Sequence, residues 1–304
     1  MRIRFASSGP QQTMPTVQLN DRAFVLVSGD DAETFLQNII TTDLAMLADG
    51  EVKPGALLSP QGKILFDFLV ARIPGGFRLD CPAEAASDFV KRLMLYRLRA
   101  KVQISVENPG LVAASWNFDS TSSAEDSPSS RDESTVRDTR FPAALGVVRH
   151  YGKSIAGPDA TAWNALRVAN GIPESGTDYA LGDTFPHDAL LDQTGGIGFG
   201  KGCYVGQEVV SRMQHRGTAR RRILIAEGAS QLPAAGTEIV ANGRPLGALG
   251  TVTGKTGLAM VRIDRVKDAV DAGVPITAGG IELSLSIPDW AKFAFPQAAS
   301  TESD

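Results

Sequence analysis

Thiols are scarce in this chain: its 304 residues include two cysteines, Cys81 and Cys203, far apart in sequence. Two thiols exclude a disulfide scaffold and point to a reducing compartment. They also fall short of the four ligands that a structural zinc or an iron–sulfur cluster takes within one chain. Histidine does not make up the deficit. His150, His187 and His215 show no ligand spacing and read as surface or hydrogen-bonded polar residues, so no metal site is predicted within the monomer. Long apolar runs are missing as well. No hydrophobic stretch reaches the roughly 18 residues of a membrane span, so no membrane partner is expected. Neither a secretory signal nor a nucleic-acid motif is visible, and a net charge of −4 argues against stable direct nucleic-acid binding. The first residues carry Arg2 and Arg4 without an acid, but lack the length and amphipathic pattern of a transit peptide. The expected compartment is the cytoplasm, or the mitochondrial matrix for a eukaryotic chain.

What is present is the composition of an ordinary soluble protein, 43% hydrophobic and 21% charged, and long enough for two or three domains. Strands are predicted at 17–19 and 24–27, then a helix over 32–38 with carboxylates in its first turn. Strand pairs follow at 52–58, 64–73 and 77–80, separated by the turn-like Ser59-Pro60-Gln61-Gly62 and Pro74-Gly75-Gly76. A helix over 83–98 with a cationic end and a strand at 102–106 complete an α+β unit, its helix on one face of an antiparallel sheet. Residues 119–138 are rich in serine, threonine and charge, and read as a disordered surface insertion. Another helix is expected over 160–170, closed by Gly171 and Pro173. From Arg222 onward, glycine-punctuated strands at 223–226, 238–240, 247–252, 257–261 and 282–286 suggest a small closed antiparallel barrel.

The chemistry concentrates in Lys201-Gly202-Cys203-Tyr204-Val205-Gly206-Gln207-Glu208, at the end of a glycine-dense run from Gly195. A short helix should follow, with Val209 and Met213 on one stripe, Glu208 and Arg212 as an i,i+4 pair, and Gly217 as the stop. Cys203 then precedes a helix N-terminus and lies two residues from Lys201, and both features favour thiolate over thiol. The alternative is a buried cysteine packing as a small hydrophobe. Gly195 with Gly200-Lys201 satisfies part of a phosphate loop. However, Gly202 stands where a Ser or Thr hydroxyl should hold magnesium, and no βαβ context supports a dinucleotide site. Six cations (Lys201, Arg212, Arg216, Arg220, Arg221 and Arg222) face a single acid, Glu208, between Phe199 and Arg222. Such a patch suits an anionic ligand or an acidic partner, or it is a solvated surface paired elsewhere.

The eight-residue string resembles the signature of the YgfZ family of folate-binding, iron–sulfur-related proteins, relatives of the aminomethyltransferase (T-protein) of glycine cleavage. The similarity extends over 17–290. It includes Val25-Leu26-Val27-Ser28-Gly29-Asp30-Asp31-Ala32, Leu57-Leu58-Ser59-Pro60-Gln61-Gly62-Lys63, Arg167 to Pro173 and Leu190-Leu191-Asp192. The resemblance implies an α+β, three-domain GcvT/YgfZ-like arrangement, with ferredoxin-like α+β domains, a C-terminal small antiparallel β-barrel and a central folate hole. Its boundaries map to 15–47 with 155–216 for the folate-binding domain 1, 48–150 for domain 2 and 217–296 for the barrel. Residues 1–14 and 297–304 read as disordered ends.

A pterin asks for a carboxylate or amide at its aminopyrimidine edge, an apolar wall and cations for its glutamate tail. Candidate acceptors are Asp43, Asp67 and Glu208, and candidate walls Tyr204 and Phe199. Arg212 is a candidate cation, Gly202 and Gly206 would permit the turn, and Gln207 would hold the loop or the ligand. Cys203 and Lys201 are the candidate catalytic pair, the ammonium lowering the thiol pKa. T-proteins carry a glutamate where Ala169 stands in Arg167-Val168-Ala169-Asn170-Gly171, and paired aspartates where Phe66-Asp67 keeps one. The resemblance therefore implies a tetrahydrofolate-binding factor that supports iron–sulfur clusters in client enzymes, including tRNA-modifying ones, rather than a classical enzyme. Folate and iron–sulfur client or assembly proteins are its expected partners. A folate-dependent aminomethyltransferase and a non-enzymatic adaptor with a basic docking patch remain open alternatives.

Overall fold

The structure, a computed structural model, describes residues 14–107, 111–117, 134–155 and 160–296. The chain opens with β1 (Thr16–Gln18), β2 (Arg22–Ser28), α1 (Ala32–Gln37), β3 (Glu51–Leu58), β4 (Ile64–Ile73), β5 (Gly76–Pro82), α2 (Ala86–Arg97) and β6 (Gln103–Glu107). Apolar side chains of β2, β4 and β5 meet Phe35 and Leu36 of α1 and Phe89 and Leu93 of α2 in one buried cluster. Both helices thus cover one sheet face, as alternating apolar strand residues require. The local order β4-β5-β2-β6, all antiparallel, is that of a ferredoxin-like unit spanning 22–107. This corrects the expected boundary at 47/48. β2, assigned to domain 1, is hydrogen-bonded to β5 and β6 of the sheet assigned to domain 2, and α1 packs on its face.

The sheet continues beyond that unit. β7 (Val112–Ser115), β8 (Thr135–Asp138) and β9 (Val148–Tyr151) extend it to nine strands in the order β1-β7-β9-β8-β3-β4-β5-β2-β6. Most of the expected insertion at 119–138 lies outside the described residues, as do the expected disordered ends apart from Met14. Its last part is described, and there the expectation fails: Thr135–Asp138 is a strand with Val136 and Asp138 buried. The second sheet face packs Leu69, Ala71, Val112 and Tyr151 against Trp163 of α3 (Ala160–Ala169), followed by α4 (Gln207–Arg216).

The remaining strands are β10 (Arg221–Gly228), β11 (Glu238–Ala241), β12 (Arg244–Thr253) and β13 (Thr256–Arg262), then β14 (Ile276–Ala278) and β15 (Ile281–Ser286). They close an antiparallel barrel in the order β10-β13-β12-β11-β14-β15, with β10 pairing β15. α5 (Ile263–Asp271) lays Ile263, Val266 and Ala269 on the barrel core. The α+β class with a small terminal barrel is as expected. No helix among the described residues is long and apolar enough to cross a membrane.

Candidate functional site

Two regions hold the chemistry, and an apolar cluster of Leu58, Ile64, Tyr179, Ala189, Leu191, Ile197, Tyr204 and Val210 joins them. The first is the loop before α4. Gly206 has φ +79°, a left-handed conformation that suits glycine, and a Cβ there would stand 2.6 Å from the Ser59 carbonyl oxygen. Across the contact, a Cβ on Gly62 would meet Val209 at 2.8 Å. Two resemblance blocks, the Ser59–Gly62 turn and the Cys203 string, therefore touch through glycines. Gln207 closes the loop. Its backbone N–H donates to the Tyr204 carbonyl at 3.2 Å, and its side-chain oxygen accepts from the Tyr204 N–H at 3.3 Å.

Lys201 pins the loop from below. It is buried, and its Nζ donates to the carbonyls of Ile40 and Thr42, both at 2.8 Å, with the Tyr204 ring centroid 5.2 Å away. Burial pulls its pKa down to about 8, against the opposing effect of Asp43. The expected role beside the thiol is thereby corrected: the ammonium points into the protein, where two carbonyls replace its water. Asp43 is itself held locally, accepting from Gln37 Nε2 at 2.8 Å and the Ala45 N–H at 3.1 Å. Cys203 stands exposed at the crest. Gly202 has an ordinary negative φ, and a Cβ there would meet nothing, so it leaves space beside the thiol instead of permitting the turn. Glu208 and Arg212 pair with each other at 2.5 Å on the solvent side of α4, turned away from any pocket.

Phe199, Tyr204, Gln207, Ser211, Gln214 and His215 line an open pocket of about 430 Å³ beside this loop. Against its wall sits His187, which sequence reading missed as a buried group. Its Nε2 bonds Gln214 Oε1 at 3.1 Å, its ring lies 6.2 Å from Phe199, and burial holds its pKa below the usual imidazole range. The expected cationic patch dissolves on inspection. Lys201 is internal, Arg221 binds Asp183 and Asp188, Arg222 binds Asp192 at 2.6 Å, and Arg212 binds Glu208. Arg216 and Arg220 remain on the surface. Charge on these arginines mainly ties 183–192 to the barrel, so the basic docking patch is not formed.

The second region is the central cavity, lined by Arg22, Asp67, Arg140, Glu174 and Tyr179 and holding about 30 Å³. Ligand pockets begin at roughly 300 Å³, and space of this size takes one or two waters. Asp67 is also occupied, accepting from Ser175 Oγ at 2.7 Å and Tyr179 Oη at 3.0 Å. Around it lies an ion network invisible in the sequence. Arg22 and Arg149 meet Asp80, Arg149 and Arg140 meet Asp138, and Arg167 meets Glu174 and Asp178. Arginines hold the Asp138 and Glu174 carboxyls down to about 2 despite burial. A pterin does not fit this cavity, and Asp67 does not join the other predicted residues.

A family model described as "CAF17, C-terminal beta-barrel domain" matches residues 220–293. The human mitochondrial iron-sulfur cluster assembly factor IBA57 is 27% identical, over 90% of this chain and 84% of its own. Its Pyricularia oryzae homologue is 28% identical, over 86% and 75%. Over most of its length the chain is similar to IBA57 proteins. Among solved structures, the glycine cleavage aminomethyltransferase T of Bartonella henselae superposes with a TM-score of 0.72 at 17% identity, over 91% of this chain and 86% of that one. The chain therefore has a GcvT-like fold, as the signature resemblance implied. YgfZ proteins form a related family, and the similarity found runs to IBA57.

Proposed function

We propose that this protein is an iron–sulfur cluster assembly factor in which Cys203 is the working group. One observation carries the reading: the exposed thiol crowns a loop that Lys201, Gly206 and Gln207 fasten to the core, beside an open pocket. Among the described residues no group of three His, Cys, Asp or Glu side chains could hold a metal. A single thiolate is one ligand of four, so a cluster here is substrate, held jointly with thiolates of a partner chain and passed to client enzymes. Radical tRNA-modifying enzymes are among the clients the signature resemblance suggests. A reducing compartment suits this chemistry, and the IBA57 relatives carry "mitochondrial" in their names. The test is anaerobic maturation of an iron–sulfur client in an extract depleted of this protein. Wild type should restore the client and Cys203→Ser should not; full restoration by the variant overturns the reading.

Tetrahydrofolate binding is the second reading, and we place it at the pocket beside Cys203, away from the central cavity. Its volume suits a pterin, Phe199 and Tyr204 supply walls, and Gln207 and Gln214 supply amide edges. Calorimetry with tetrahydrofolate decides: binding weakened by Gln214→Ala supports this placement, and absence of binding removes folate. Aminomethyl transfer has no such support, since neither the pocket lining nor the crest holds a free carboxylate for proton transfer.

A further inference from the structure

The outer end of α2 carries charge and apolar surface that neither region above uses. Residues 91–101 contain five cations, Lys91, Arg92, Arg97, Arg99 and Lys101, and no acid, in a chain of net charge −4. Leu93 and Phe89 dock the helix on the core, while all five cations face solvent. Among the described residues only Lys91 has a side-chain ion partner, Asp88 at 2.8 Å; Asp31 reaches the segment through the Lys101 backbone N–H. Between the cations stand Met94, Leu95 and Leu98, which are 42%, 69% and 89% exposed.

Leu98 is the second, independent sign. It caps α2 with φ +44° and ψ −106°, in a position where helices commonly place glycine. A left-handed leucine is strained, and one almost fully in water gains nothing from its own core to offset that strain. Shape then selects the occupant. A side chain 89% exposed projects from the surface and cannot line a groove for a peptide. The bilayer interface, by contrast, accepts a projecting leucine without a preformed pocket, and flanking cations match an anionic surface. We propose that this end of α2 docks on anionic phospholipid membranes, with Leu95 and Leu98 entering the acyl boundary and Arg92, Arg97, Arg99 and Lys101 meeting the phosphates. This departs from the expectation of no membrane partner, and it needs no spanning segment.

Sedimentation of the full chain with phosphatidylcholine–phosphatidylglycerol vesicles, against phosphatidylcholine alone, tests the proposal. Binding should require the anionic lipid and fade as added salt approaches about 1 M. Leu98→Gly removes the side chain while relieving the left-handed strain, so the thermal midpoint should hold or rise as vesicle affinity falls about tenfold. The double substitution Arg97→Glu with Arg99→Glu should weaken binding about tenfold or more. Val270→Ser, at an exposed apolar residue of α5, should change nothing. Absence of binding at low salt overturns the proposal, as does binding indifferent to Leu98→Gly. Soluble polyglutamate bound as tightly as vesicles, with the same Leu98 dependence, would also overturn it and make the face a dock for an acidic protein.

Discussion

The central cavity and the Cys203 loop share one apolar cluster yet treat polar groups in opposite ways. In the cavity, four arginines and four carboxylates pair with one another and leave about 30 Å³. At the loop, a lysine is spent on two backbone carbonyls so that a thiol can stand in water. The two cysteines repeat the contrast. Cys81 lies buried on β5, where burial pushes its thiol up to about 12, so it packs as a hydrophobe. The centre, where the signature resemblance places a folate hole, is here nearly closed, and the open pocket lies beside the Cys203 loop.

The largest effect should come from the thiols. Cys203→Ser should lower client maturation by at least the roughly 10–100-fold that changes around a metal ligand bring, whereas Cys81→Ser should leave it near wild type. Alkylation of the native protein followed by mass spectrometry should label Cys203 and spare Cys81. Equal labelling would erase the comparison.

Next comes the cavity. Asp138→Asn leaves Arg140 and Arg149 buried beside a neutral amide, and should destabilise the fold by about 3–5 kcal/mol in denaturant titration. The pH dependence sharpens this. Asp138 and Glu174 titrate near 2 in the fold, below their unfolded values near 4. The stability they contribute is complete above about pH 4.5 and drains away as pH falls toward 2. Wild type should lose stability more steeply than Asp138→Asn across that window.

How far these regions could be read from sequence differs for a physical reason. The loop was legible because its parts are local: Gly206 and Gln207 follow Cys203 within one turn, and helix α4 ends at Gly217 as its left-handed preference dictates. The ferredoxin-like strands and most of the barrel were legible through apolar periodicity. The ion network was not, because Arg22, Asp80, Asp138, Arg149 and Arg167 meet only after sheet and barrel assemble. For the same reason Arg221 and Arg222 looked like a patch: their partners Asp183, Asp188 and Asp192 lie about 30–40 residues upstream. β7, β8 and β9 were overlooked because two of them flank a polar segment that masks their alternation.

A smaller effect is expected where the loop meets the β3–β4 turn. Gly206→Ala places a methyl group 2.6 Å from the Ser59 oxygen and forces alanine into a left-handed conformation. About 2 kcal/mol of destabilisation should follow, with client maturation falling more than stability because Cys203 is displaced. A variant with lost stability and intact maturation would separate the thiol from its anchor.

The smallest effect tests the anchor itself. Lys201→Met removes two hydrogen bonds from buried carbonyls and a desolvated charge, so the two changes partly cancel to about 1 kcal/mol near neutral pH. Their balance shifts with pH. Lys201 releases its proton near 8 in the fold and near 10.5 when unfolded, so between those values the unfolded chain binds more protons. Stability of the wild type should therefore rise from about pH 8 toward 10.5 relative to Lys201→Met, which has nothing to titrate there. Denaturant midpoints of both proteins across that window measure the rise. A flat difference would mean that the ammonium stays hydrated, and the loop would then be as loosely held as it is exposed, leaving the fastened platform under Cys203 without its pin.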